Sequence, residues 1–173
     1  MASSVAAHPP DTTRLSSRRG LALALAAAAS VIATSTAGRV VSAPGVRGWY
    51  RTIAKPPFNP PNWAFPVAWS LLFVLMGVAF WRVLRAPPRT PGRGAAVALF
   101  LAQLVVNVGW SLAFFGAHSP LYGLIVIIPF WLMIAATAAA FRAVDRVAGW
   151  LLAPYLAWVS FAAVLNAAIW RLN

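Results

Sequence analysis

Polar residues inside apolar segments are the first candidates for chemistry in this chain. Gln103, Asn107 and Trp110 recur at spacings of four and three residues within one apolar segment, with Ser111 next to Trp110. Residues spaced by three or four positions share one face of a helix. An amide at the depth of a membrane is costly unless it finds a hydrogen-bonding partner. We therefore expect this face to point into a helical bundle, where it either fixes packing through interhelical hydrogen bonds or forms a cavity wall with polar handles.

Tryptophan supplies a second set of candidate contacts, because the chain contains nine of them. Trp residues near the ends of membrane spans are usually interfacial anchors. Trp69, Trp110 and Trp158 lie deeper within apolar segments. Flat indole rings around a space favour a flat, apolar, conjugated ligand, through stacking and burial of area.

Residues for acid–base, nucleophilic or metal chemistry are scarce. The chain has no cysteine, two acids (Asp11 and Asp145) and two histidines (His8 and His118). This composition excludes disulfides and thiol nucleophiles, argues against a two-carboxylate catalytic site and predicts no metal site. We interpret Asp145, which is flanked by arginines, as part of a loop ion pair of little energetic consequence. His118 is interpreted as a solvated residue of a short turn.

Five apolar segments must position these residues. The 173-residue chain is 61% hydrophobic and 9% charged, whereas soluble domains average about 25% charged residues. Each segment has the ~20 residues that a helix needs to cross about 30 Å of hydrocarbon. We predict an all-α membrane protein, with a disordered basic tail over residues 1–19 and a transmembrane domain over residues 20–173. The five transmembrane helices are expected at about residues 20–41, 62–84, 95–115, 120–141 and 148–170.

The first apolar segment also resembles a secretory signal, because two arginines precede its apolar run. The run continues to Val41, however, and small residues recur along it every four positions. Such a stripe suits close contact between helices in lipid, so we expect a retained helix. The stripe consists of Ala22, Ala26, Ser30, Thr34 and Gly38.

The connector between the first two helices is dense in proline and aromatic residues. We call residues 49–65 the lid. Its four prolines between Pro56 and Pro61 forbid a helix there and remove backbone donors. Exposed carbonyl groups cannot be satisfied in lipid, so the lid is expected at the membrane face. We expect it to cap an enclosed space on which the deep indole rings converge.

The formal net charge of +12 is typical of nucleic-acid binding or of anchoring at lipid headgroups. Because the arginines lie at the ends of apolar segments, we favour headgroups and expect no nucleic-acid partner. With the N-terminus in the cytoplasm, nine basic residues lie inside and five outside, which favours that orientation and an outer lid. The Ala- and Arg-rich composition suggests a bacterial cell membrane.

The chain resembles the TspO/MBR family, which comprises tryptophan-rich sensory proteins and mitochondrial translocator proteins, over about residues 20–173. The resemblance rests on the order and spacing of several motifs. These are Trp49-Tyr50, Lys55-Pro56, Pro60-Pro61-Asn62-Trp63, Met76-Gly77, Gln103-Leu104 with Asn107, Phe114-Phe115-Gly116, Pro154-Tyr155-Leu156-Ala157-Trp158, Leu165-Asn166 and Trp170-Arg171.

The resemblance implies a bundle of five transmembrane helices, often dimeric, with a porphyrin- or haem-binding pocket beneath the first loop. It implies a sensory, regulatory or transport role, with no cofactor required. Light- and oxygen-dependent porphyrin degradation is an alternative, with Trp69 and Trp110 as the candidate residues. The implied ligand-binding residues are Trp63, Phe65, Trp69, Asn107, Trp110, Phe115, Tyr122, Trp158, Ala162, Leu165 and Asn166.

One departure from the family pattern concerns sterol binding, since transport of a steroid-like or lipid-like ligand is a further alternative. Ala167 and Ala168 stand where animal members carry tyrosines in their proposed cholesterol motif. Cholesterol recognition by the fifth helix is therefore not expected on the family pattern. A packing scaffold with no small-molecule ligand, in which the aromatic residues only fill the bundle, is a third possibility.

Overall fold

A computed structural model of the protein describes residues 12–173, with side chains from residue 18 onward. Within this part of the chain every regular element is helical, and five helical segments are long and apolar enough to cross a membrane. The all-α bundle of five transmembrane helices is thereby confirmed. The elements are α1 Thr12–Arg47, α2 Trp49–Thr52, α3 Ala64–Arg85, α4 Arg93–Ser111, a π-helical turn Leu112–Gly116, α5 Pro120–Val144, α6 Arg146–Leu151 and α7 Ala153–Leu172.

The helix bounds differ most from expectation at α1, which begins at Thr12 and continues to Arg47. Residues 12–19, which we assigned to the basic tail, are thus helical. The remainder of that tail, residues 1–11, lies outside the described residues. Pro44 lies inside the last turns without ending the helix, so proline alone does not mark this boundary.

Local sequence signals account for the starts of the later helices. Gly92, with a φ of 76°, turns the chain into α4 in a backbone conformation that favours glycine. The Ser119 side chain accepts a hydrogen bond from the Tyr122 backbone N–H at the start of α5, where Pro120 occupies the first helical position. The fifth span is broken at Leu152, because Pro154 in the first turn of α7 cannot continue the helical hydrogen bonding of α6.

The half of the bundle away from the lid is filled by aromatic packing. The ring of Phe100 stacks on that of Phe80 at 4.3 Å and on that of Phe141 at 5.4 Å between centroids. All three are almost completely buried. Stacked aromatic pairs add stability beyond their buried area. These three rings fill the space between α3, α4 and α5 in this half of the bundle.

The small-residue stripe of α1 is only partly the contact face. Ala22 and Ala26 are exposed, whereas Ala27, Val31 and Thr34 are buried. A strict four-residue spacing drifts by about 40° per step from a helix of 3.6 residues per turn. Near the N-terminal end of α1, the residues in contact with the bundle are therefore Ala27 and Val31 instead of the predicted stripe. Nearer the lid, two stripe residues do contact the bundle: Thr34 is buried, and Gly38 faces the Ser111 side chain.

The single described carboxylate side chain joins two elements at the end of the bundle opposite the lid. Asp145 accepts hydrogen bonds from Arg82 of α3, at 3.2 Å from Nε and 2.9 Å from Nη2, and from the Ala148 N–H of α6 at 2.9 Å. Its partner is thus a distant arginine rather than a flanking one. Burial alone raises the pKa of Asp145, but the hydrogen bonds and the Arg82 charge outweigh it and lower that pKa.

Candidate functional site

A small apolar cavity of about 40 Å³ lies beneath the lid, between α3, the end of α4 and α7. Aromatic side chains form most of its wall, and one amide provides a polar edge. Its lining residues are Tyr50, Phe65, Trp69, Trp110, Phe114, Phe115, Trp158, Phe161, Ala162, Leu165, Asn166 and Ile169.

The indole rings of Trp69, Trp110 and Trp158 converge on this cavity, as predicted. The ring of Trp110 stacks on that of Phe114 at 5.5 Å between centroids, with 19° between the planes. The ring of Trp158 meets Phe65 edge-on at 6.0 Å. Trp69 packs edge-on against Tyr155 at 6.2 Å, below the cavity. Helices α3, α4 and α7 therefore each contribute one indole to the same space.

Asn166 supplies the polar edge of the cavity. Its Nδ2 donates to the Pro120 carbonyl at 2.8 Å, and its Oδ1 accepts a long hydrogen bond of 3.4 Å from Trp110 Nε1. Asn166 is 2% exposed, so both bonds form away from solvent. Gly123 makes room for this arrangement, because a Cβ there would lie 2.5 Å from Asn166 Oδ1. The amide thus fixes the orientation of one wall indole.

A second polar network lies deeper, on the face predicted from the spacing of Gln103 and Asn107. Asn107 Nδ2 donates to the Tyr155 hydroxyl at 3.0 Å, and that hydroxyl donates to Gln103 Oε1 at 2.9 Å. Gln103 Nε2 is buried and has no partner among the described residues. The network links α4 to α7, so interhelical bonding accounts for these amides better than a cavity wall does.

Tyr50 makes contacts within the lid that hold its chain together. The Tyr50 hydroxyl donates to Asn59 Oδ1 at 2.9 Å, and Lys55 Nζ lies 4.8 Å from the Tyr50 ring centroid. Burial raises the pKa of Tyr50. Tyr50 also lines the cavity, so the lid forms part of the wall as well as covering it.

Two further contacts fasten the lid to the bundle. The Asn173 side chain pairs with both backbone groups of Ala54, accepting from its N–H at 2.9 Å and donating to its carbonyl at 3.0 Å. The Trp49 ring stacks on His118 at 5.3 Å between centroids. His118 is exposed, as expected for a turn residue, but it is also a packing partner of the lid.

Eight of the eleven predicted ligand-binding residues line the cavity. Three lie elsewhere. Trp63 is 68% exposed beside the first turn of α3, and Tyr122 is 56% exposed on the first turn of α5. Asn107 faces the deeper network with Tyr155 instead. Trp63 and Tyr122 were assigned from the family resemblance alone, and both side chains point away from the cavity.

The enclosed space beneath the lid is small, about 40 Å³, and four side chains that were not predicted form part of its wall. Tyr50, Phe114, Phe161 and Ile169 all line the cavity and were missed. Helical spacing could have identified three of them: Phe114 lies four residues after Trp110, Phe161 three after Trp158, and Ile169 four after Leu165. Tyr50 could not be found this way, because the path of the lid brings it in.

The backbone of the π-helical turn Leu112–Gly116 lies in close contact with α1. The π-helical turn follows α4 and carries Phe114 and Phe115 into the cavity wall. A Cβ at Gly45 of α1 would collide with the Phe115 carbonyl. Single π turns are rare and often occur at functional sites. Glycine at position 45 permits the close approach that places both phenylalanines.

Comparison with known proteins agrees with this architecture. A family model described as the TspO/MBR family matches residues 22–171. The tryptophan-rich protein TspO of Chlorobaculum tepidum is 43% identical over 142 residues, covering 82% of this chain and 90% of that protein. The tryptophan-rich sensory protein of Cereibacter sphaeroides is 42% identical, covering 72% and 77% respectively. The human translocator protein is 33% identical, covering 78% and 80%. The chain is therefore an integral, multi-pass membrane protein that belongs to the TspO/MBR family.

Proposed function

We propose that this protein binds a tetrapyrrole, a porphyrin or haem, beneath the lid and serves a sensory, regulatory or transport role. The observation that carries the proposal is the convergence of Trp69, Trp110 and Trp158 on one cavity. A macrocycle presents a flat, conjugated, apolar face, which aromatic rings bind by stacking and burial of area. The names of the relatives, sensory protein and translocator protein, support the role.

A basic side chain, Lys55, lies close to the cavity and could pair with the carboxylate groups of such a ligand. Lys55 lies over the ring of Tyr50, which lines the cavity, and its ammonium group donates to the Ile53 carbonyl at 3.0 Å. Porphyrins with carboxylate side chains would meet this cation at the lid. Asn166, deeper in the wall, offers an amide to the polar centre or edge of the macrocycle. Apolar area then supplies affinity, and the two polar groups supply orientation.

Binding requires the cavity to enlarge. Its volume of about 40 Å³ is far below the ~300–1,000 Å³ typical of ligand pockets. The proposal therefore includes an outward movement of the lid and a separation of wall residues such as Phe114 and Phe161. If the protein must open before the ligand can bind, the opening step limits the observed binding rate, which then reaches a plateau as the ligand concentration rises.

Titration with protoporphyrin IX tests the proposal. The purified protein in detergent is titrated in the dark while Trp fluorescence is followed. We expect saturable quenching for the wild type and a rise in apparent Kd of at least about tenfold for the Trp69→Ala, Trp110→Ala double variant, since two stacking walls are removed. The matched control is Trp150→Ala, an exposed indole outside the cavity. Unaltered quenching in the double variant would contradict the site.

The same titration distinguishes the alternative activity, light-dependent degradation. Illumination in air should leave the porphyrin absorption band unchanged beyond the loss seen without protein if the protein only binds. A protein-dependent loss of the band that disappears in the Trp110→Phe variant would support the enzymatic role. Competition by a sterol would support the steroid-like alternative instead.

We also propose a homodimer in a bacterial cell membrane with the N-terminus in the cytoplasm. The orientation rests on the nine-to-five distribution of basic residues. It is tested by labelling single cysteines introduced into the loops, since the chain contains no cysteine of its own. A cysteine at Ala54 in the lid should react from outside intact cells, and one at Arg89 should not.

A further inference from the structure

A groove separate from the lid cavity runs along the outside of the bundle between α1 and α3. Its volume is about 710 Å³. Ala28 and Ile32 of α1 and Val74 and Trp81 of α3 line its apolar length. Ile32 and Val74 are each 62% exposed, so the groove is open sideways, toward the lipid. Its volume lies within the ~300–1,000 Å³ range of small-molecule sites.

The groove has one polar end, which is contributed by Arg39, Ser35, Thr36 and Ser70. Arg39 lies twenty residues after Arg19 on α1. At 1.5 Å per residue, that separation is about 30 Å, the thickness of the hydrocarbon core. With Arg19 at one headgroup layer, Arg39 reaches the other. On this placement of Arg19, we assign the polar end of the groove to headgroup depth on the lid side.

The hydroxyl groups at this end differ from several hydroxyls elsewhere in the bundle. Ser30, Thr34, Thr137 and Ser160 each donate to a backbone carbonyl one turn earlier. The groove hydroxyls of Ser35, Thr36 and Ser70 make no hydrogen bond to another described residue. A polar group left unpaired at the edge of hydrocarbon is costly. These hydroxyls are available to a polar group of an occupant.

The charge at this end is also unmatched. The whole chain has two acids, and the described one, Asp145, pairs with Arg82 at the opposite end of the bundle. Arg39 forms no ion pair within residues 18–173. An arginine guanidinium binds phosphate oxygens through paired, charge-assisted hydrogen bonds.

We propose that this groove is a binding site for one anionic phospholipid of the lid-side leaflet. Arg39 binds the phosphate, the hydroxyls of Ser35, Thr36 and Ser70 bind the headgroup oxygens, and an acyl chain lies along Ile32 and Val74. From Arg39 to Ala24 the groove extends about 22 Å, at 1.5 Å per residue. That length exceeds the ~15 Å depth of one hydrocarbon leaflet, so the acyl chain fits.

Native mass spectrometry of the detergent-purified full chain tests this site. The protein is titrated with phosphatidylglycerol and, separately, with phosphatidylcholine of the same acyl chains. We expect the wild type to retain one phosphatidylglycerol at a concentration about tenfold lower than phosphatidylcholine, because a charged hydrogen bond to a net anionic headgroup is the stronger one. Arg39→Gln should lose this preference. Arg171→Gln, which removes a lid-side arginine outside the groove, should keep it.

A second variant tests the acyl part of the groove without touching the core. Val74→Trp fills the groove at an exposed position, so the fold should be retained, as far-UV circular dichroism would show. We expect it to weaken retention of both lipids. The proposal is overturned if Arg39→Gln keeps the wild-type preference, or if Arg171→Gln loses it equally. It is also overturned if Val74→Trp changes the oligomeric mass and leaves lipid retention unchanged, since the groove would then hold a second copy of the chain.

Discussion

The Nε1 of Trp110 lies 3.4 Å from the Oδ1 of Asn166, so an indole of α4 and an amide of α7 meet at the wall of the cavity. The Nδ2 of the same amide donates a hydrogen bond to the Pro120 carbonyl at 2.8 Å. One side chain therefore links α4, α5 and α7 at the level where a ligand is proposed to bind. Its removal is expected to affect helix packing as well as the cavity.

The first prediction concerns this amide. Asn166→Leu should lower the free energy of unfolding by about 1–3 kcal/mol, because it leaves buried polar partners unpaired. Thermal unfolding in detergent, followed by Trp fluorescence, measures the change. Trp110→Phe removes the long indole hydrogen bond and part of the ring, but it keeps an aromatic ring next to Phe114 and the Asn166 bond to Pro120, so its effect should be smaller. An equal or larger loss in Trp110→Phe would show that the contacts of the indole, not the Pro120 carbonyl bond, dominate.

The second prediction concerns the buried hydroxyl between Gln103 and Asn107. Tyr155→Phe removes a group that accepts from Asn107 and donates to Gln103. Two buried amides then lose a partner, and we expect a loss of about 1–3 kcal/mol in stability. Tyr122→Phe is the control, because that side chain is exposed and forms no side-chain hydrogen bond among the described residues. Equal melting temperatures for the two variants would contradict the structural role of the network.

The fold was predictable because membrane spans leave a strong signal in composition and length. The inward face of α4 was also predictable, since the three- and four-residue spacing of Gln103, Asn107 and Trp110 fixes one face whatever the neighbours are. These residues nevertheless have different surroundings, because Trp110 lines the cavity and Asn107 does not. Spacing identifies a face, but the depth along the helix and the partner across it decide which residue meets the cavity.

Features that depend on the path of the lid were not predictable. Tyr50 enters the cavity wall, and Asn173 binds Ala54 across 119 positions of sequence. Neither contact has a periodic signature. The π-helical turn at Leu112–Gly116 is a further irregular feature that no periodic pattern in the sequence marks. Non-local contacts and irregular backbone leave no periodic pattern in the sequence.

The third prediction concerns pH. The lowered pKa of Asp145 means that its contribution to stability is present above the pKa of the unfolded chain, about 4. That contribution is lost as the pH falls through the lower pKa of the folded state. The side chains of Arg82 and Asp145 are 36% and 23% exposed, so we expect less than about 1 kcal/mol.

Melting temperatures measured from about pH 7 to about pH 3 test this carboxylate. The wild type should lose stability below about pH 4, and Asp145→Asn should be less stable at neutral pH but lose less over the same range. The control is Arg146→Gln, which changes a neighbouring charge without removing the Arg82 partner. Parallel curves for wild type and Asp145→Asn would show that Asp145 does not carry this pH dependence.

The fourth prediction concerns the fastening of the lid. Asn173→Ala removes two hydrogen bonds to the Ala54 backbone. We expect faster hydrogen exchange at the lid and a faster association rate for protoporphyrin IX, because the lid must open before the ligand enters. Asn62→Ala is the matched control, since Asn62 is an exposed lid residue with no side-chain hydrogen bond to another described residue. Slower association in Asn173→Ala would contradict a gating role for this contact.

The fifth prediction concerns the close approach of α1 to the π-helical turn. Gly45→Ala places a Cβ against the Phe115 carbonyl, and backbone cannot move aside as a side-chain end can. We expect a loss of about 1–3 kcal/mol in stability from overpacking, together with weaker protoporphyrin IX binding, because Phe115 lines the cavity. Gly109→Ala is the control: nothing lies within 4 Å of a Cβ there, and alanine in a helix interior gains about 0.5–1 kcal/mol over glycine. The two substitutions should therefore shift the melting temperature in opposite directions. A rise in both would mean that helix propensity, rather than the contact with Phe115, sets the effect at position 45.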